Sequence, residues 1–74
     1  MANSGWALAR RAVLREVAEA LGGDELAYRI AGVLLRRADV VTLDDLRRLE
    51  RPESVPGVGV TAAARIRRAL TTAS

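Results

Sequence analysis

The sequence predicts an all-α fold, a compact bundle of four or five short helices. Three observations carry that prediction. Apolar residues recur at helical spacing along most of the chain. Asn, Ser, Asp or Thr stands where the first three helices would begin, and Gly-Gly follows the first and Pro the third. No stretch alternates apolar and polar residues with the period of a strand. The chain has 74 residues and reads as a single helical domain over residues 1–74. A domain of this size buries only about 60% of the surface that its unfolded chain exposes.

The first helix is expected from about Trp6 to Leu21, capped by Asn3 or Ser4. At about 100° per residue, Trp6, Val13, Leu14, Val17 and Leu21 form one stripe, with Arg11, Arg15, Glu16 and Glu19 away from it. Arg10 falls inside that stripe and Leu8 outside it, so the first turn either frays or touches a partner. Gly22-Gly23 ends the helix, because glycine adopts the left-handed terminating conformation at little cost.

Asp24 caps a second helix from Glu25 to Ala38, whose main stripe is Leu26, Ile30, Val33 and Leu34. Tyr28 and Leu35 lie nearly opposite, beside Gly32, and only Glu25, Arg29 and Arg36 form a polar strip. A helix apolar over most of its circumference is surrounded by neighbours. Tyr28 and Leu35 are then either covered by another helix that Gly32 lets in closely, or they form a homodimer surface. These two helices make a scaffold over residues 1–38.

Thr42 caps a third helix, with Asp45 three residues on in a capping-box relation and Val40 or Val41 as staple. Leu43, Leu46 and Leu49 face inward. Asp44 and Asp45 suit the positive end of the helix dipole, and Arg47, Arg48 and Arg51 the negative end. Pro52 stops the helix, and Glu53-Ser54-Val55 is a turn. The last helix starts at Val60 or Thr61 and reaches about Thr71, with Ala62, Ala63, Ile66, Ala69 and Leu70 on its inner face.

Composition narrows the chemistry. There is no cysteine and no histidine, which removes disulfides, thiolate metal sites, and the commonest general base. No constellation supports catalysis, and no cofactor or metal is implied. All twelve basic residues are arginine, and the net charge is +3. Arginine's planar fork suits phosphate oxygens and stays charged. Residues 39–53 hold Asp39, Asp44, Asp45, Glu50 and Glu53, whereas residues 54–74 hold Arg65, Arg67 and Arg68 and no acid. A uniformly positive segment is the footprint expected for a polyanion partner. No signal peptide or membrane-spanning run is visible, so the expected location is the cytoplasm.

The segment SVPGVGVTAAARI, residues 54–66, opens that positive region. Pro and Gly mark tight helix connections everywhere, so the stretch reads first as a turn. Gly57 and Gly59 can also adopt positive φ and carry no side chain to block an approaching group. Val58, between them, should point into the core. The amides that open the following helix, with its dipole, make an anion site. Thr61, Arg65 and Arg68 share one face of that helix and Arg67 points elsewhere.

These residues resemble the helix-hairpin-helix motif of DNA-binding proteins that lack sequence specificity. The pattern is Val55, Pro56-Gly57-Val58-Gly59, Ala63 or Ala64, and Ile66, preceded by VVTLDDLRRL at residues 40–49. The resemblance covers about residues 40–70 and makes residues 39–74 a helix-hairpin-helix unit. Small actinobacterial integration-host-factor-like proteins carry a similar hairpin. The resemblance implies binding of duplex DNA through its phosphates, at Gly57, Gly59, Val60 and Thr61, and a nucleoid location. With the residues read above, the candidate phosphate-binding set is Gly57, Val58, Gly59, Val60, Thr61, Arg65 and Arg68. Arg47, Arg48 and Arg51 are secondary basic contacts. Many members carry a lysine in the first turn after the second glycine, where this chain has Val60 and Thr61. In addition, Arg51-Pro52-Glu53-Ser54 interrupts a usually more continuous approach helix. The alternative function is a helical interaction or dimerisation module with Leu8, Tyr28 and Leu35 as its surface.

Overall fold

Among the described residues, each of four α-helices sends at least one almost completely buried side chain into a shared core, the largest being Val17, Leu34, Leu46 and Ile66. The helices are α1 (Ala2–Ala20), α2 (Glu25–Ala38), α3 (Leu43–Arg47) and α4 (Val60–Ala73), with one 3-10 turn, Pro52–Ser54, before α4. The structure is a computed structural model that describes residues 2–73, with the side chains of residue 9 and of residues 11–72. Among the described residues there is no strand and no buried charged side chain. Trp6, Leu8 and Arg10, which carried the expectation for the first turn, have side chains outside the described residues.

The helix α1 starts at Ala2, so Asn3 and Ser4 lie within it instead of capping it. Propagating a helix is far easier than nucleating one, so the helix extends back through these residues in spite of Asn3, Ser4 and Gly5. Val13 leaves the expected stripe and is 46% exposed. Ala18, fully buried, takes the inward place beside Leu14, Val17 and Leu21. Helical geometry explains the exchange, since Ala18 lies closer in angle to Leu14 and Leu21 than Val13 does.

The helix α2 matches the expected bounds and packs chiefly against α1, which also meets α3. Ala27, Ile30, Ala31, Gly32 and Leu34 are buried, and Leu26, Tyr28, Val33 and Leu35 are half-buried against the core. Asp24 caps it, accepting the Ala27 N–H at 2.9 Å. At the far end Asp39 closes it in the left-handed conformation, φ +55. The Arg11 guanidinium stacks over the Tyr28 ring at 3.8 Å from its centroid. Such an exposed pairing contributes about 0.5–1 kcal/mol.

The helix α3 spans five residues, too few to be stable alone. Its capping box is complete: Thr42 accepts the Asp45 N–H at 3.1 Å, and the Asp45 carboxylate accepts the Thr42 N–H at 3.1 Å. That carboxylate also takes the Val41 N–H at 3.0 Å. The Glu16 carboxylate of α1 accepts the Leu43 N–H at 2.6 Å, fixing where α3 starts. The expected run to Arg51 does not form. The Arg48 and Leu49 N–H groups close tighter turns onto Asp45 and Leu46, and Arg51 stands outside α3. Pro52, buried, disfavours helical geometry at Arg51 and opens the 3-10 turn instead.

Candidate functional site

Pro56 and Gly57 occupy the middle of a tight turn that the Val58 N–H closes on the Val55 carbonyl at 3.0 Å. Gly57 has φ +91, which a type II turn requires at its third residue. A Cβ there would lie 3.0 Å from Cγ1 of Val33 on α2. Gly57 is therefore explained twice, by conformation and by close packing. Val58 turns inward and is buried, as expected.

Gly59 is different. Its φ is not in the positive region, and a Cβ there would meet nothing within 4 Å. Its carbonyl accepts the Ala63 N–H at 2.9 Å, so it is the N-cap of α4. With no side chain it leaves the first turn uncapped, and no described residue accepts the N–H groups of Val60, Thr61 or Ala62. Pro56, Gly57, Gly59, Val60 and Thr61 are all exposed, Val60 at 88%.

Thr61, Ala64, Arg65 and Arg68 line one cleft of about 230 Å³ on the outer face of α4. The expected Thr61/Arg65/Arg68 face is thus assembled, but Arg65 is already engaged. Its Nη1 donates to Asp24 Oδ1 at 2.6 Å and to the Leu21 carbonyl at 3.2 Å, tying α4 to the turn between α1 and α2. Arg68 makes no ion pair among the described residues. Arg67 pairs with Glu53 at 2.6 Å, away from this cleft. Val58 offers no free donor, since its N–H serves the turn. Arg47, Arg48 and Arg51 are exposed, Arg48 is paired with Asp44 at 3.0 Å, and none of the three lines the clefts beside the loop.

On the other side of the loop, Leu26, Arg29, Ile30, Val33, Gly57, Val58 and Ala62 line a crevice of about 120 Å³. Arg29 is a residue that the sequence assigned only to a polar strip. The signal that could have found it is spacing: it lies three residues after Leu26 and four before Val33, on the face that meets the loop.

Three carboxyls are held below their ordinary range. The Ala27 N–H and then the Arg65 guanidinium lower Asp24. The Val41 and Thr42 N–H groups lower Asp45. Glu53 is lowered by its own N–H and then by Arg67. Among the described residues no three acidic side chains gather as a metal site, and no helix is long and apolar enough to cross a membrane. In comparisons with protein-family models, curated proteins and solved structures, none matches this chain.

Proposed function

We propose that this chain is a small helix-hairpin-helix protein that binds the phosphate backbone of duplex DNA with little sequence preference, as an accessory or architectural factor. The observation that supports this reading is Gly59. Neither conformation nor packing within the molecule requires a glycine there. Its effect is to leave the first amides of α4 bare on an exposed tip, where a phosphate oxygen can reach them. Thr61 adds a hydroxyl, and Arg68 adds an unpaired cation on the same face. One such loop neutralises few phosphates, so binding is weak and falls steeply with salt.

Anisotropy titrations with mixed-sequence duplexes across a salt series test the reading. Wild type binds at low salt and loses affinity as salt rises. Gly59→Asp gives α4 a cap of the kind that Asp24 gives α2, so the variant folds at least as well but loses binding to its own carboxylate. Wild-type binding that ignores salt, or a folded Gly59→Asp that binds unchanged, contradicts the proposal.

A further inference from the structure

We infer that Arg29 of α2 is a phosphate contact, and that the DNA-binding surface runs from the loop across the crevice onto α2 as well as along α4. This rests on the DNA-binding reading above and names the cation that the loop itself lacks. Neither Val60 nor Thr61 carries charge, and the nearest arginine on α4, Arg65, is held by Asp24 and the Leu21 carbonyl. Arg29 is the one charged residue among those lining the crevice shared with Gly57, Val58 and Ala62. It is exposed, and no described residue pairs with it.

The acid nearest along α2, Glu25, lies 3.8 Å from Arg11 and makes no ion pair with Arg29. Arg29 also lines a second groove on α2, of about 270 Å³, with Tyr28, Gly32, Arg36 and one acid, Glu25. Arg36 is likewise exposed and unpaired among the described residues. At 1.5 Å per residue the two backbones stand about 10 Å apart along the helix, with Gly32 and Val33 between them. Arg29 and Arg36 are therefore two unpaired cations along α2, of which Arg29 also borders the loop. A guanidinium group beside bare amides is complementary to a polyanionic strand, and a nucleic-acid backbone is the occupant it fits.

The experiment compares wild type, Arg29→Gln, Arg29→Lys and Arg67→Gln by anisotropy with a labelled mixed-sequence DNA duplex between about 50 and 200 mM salt. The two glutamine variants lose the same formal charge, but Arg67 is already paired with Glu53. Arg29→Gln should weaken binding to all sequences alike and lower the slope of log K against log salt by about 0.9. Arg29→Lys should keep the wild-type slope, and so should Arg67→Gln. A slope for Arg29→Gln equal to that of wild type or of Arg67→Gln overturns the role of Arg29 and leaves the DNA reading standing. Absence of binding by wild type removes the DNA reading itself. Tighter, Arg29-dependent binding of an RNA duplex overturns DNA as the occupant.

Discussion

Two glycine-bearing turns lead into helices here, and they end in opposite states. The turn into α2 is sealed. Gly22 and Gly23 take φ +117 and +74, and the Gly23 N–H closes on the Ala18 carbonyl at 2.8 Å. Asp24 then caps α2, and Arg65 covers both that carboxylate and the Leu21 carbonyl. The turn into α4 is open. Gly57 provides the bend, but the capping position holds Gly59, and the first amides of α4 face solvent. The difference is one residue, an aspartate in one capping position and a glycine in the other. Polar backbone groups at a helix start need an acceptor. Where the protein supplies one, the end is structural; where it does not, water or a ligand must.

The largest effect on this comparison should come from the position that both conformation and packing fix. Gly57→Val forces a branched side chain into φ +91 and against Val33. We expect a loss of about 1–3 kcal/mol, seen as a melting temperature lowered by at least about 4 °C. A melt unchanged from wild type would mean that the turn is not built as described.

Unsealing the first turn comes next. Asp24→Ala removes the cap and the partner of Arg65, so it should destabilise the fold, though less than Gly57→Val. Thermal melts should show the loss at neutral pH. By contrast, Gly59→Asp should move stability by no more than a few tenths of a kcal/mol, upward, because it adds the cap that α4 lacks.

Acid sharpens the contrast. Asp24, Asp45 and Glu53 have folded-state pKa values below the ordinary 3.8 for Asp and 4.5 for Glu. Their contribution is therefore full above those ordinary values and is lost as pH falls through the lowered ones. Melts from pH 7 downward should hold steady to about pH 5 and then decline. The gap between wild type and Asp24→Ala should narrow over the same range, whereas the gap between wild type and Gly57→Val should not. Parallel curves for all three would show that Asp24 does not seal its turn through its charge.

Much of this was legible from residue order. The cap at Asp24, the Thr42–Asp45 box, the bounds of α2, the inner face of α4 and the inward Val58 all follow from local chemistry. The early start of α1 and the short α3 did not, because helix ends depend on what each end meets. Arg51 and Pro52 meet a 3-10 turn, and Leu43 meets Glu16 from α1. In the candidate site, Gly57 and Gly59 looked alike in sequence and separated only once their neighbours were present.

By itself the sequence determined the helical class, the bounds of α2 and the place of the glycine loop, since periodicity and capping act within a few residues. Tertiary structure decided which charges are spent. Arg65 meets Asp24 across 41 positions and Arg67 meets Glu53 across 14, and no local rule foretells such pairings. The same packing brought Arg29 beside Gly57. Electrostatic partners are set by distance in space, so the arginines left for a ligand can be named only after the helices have been packed together.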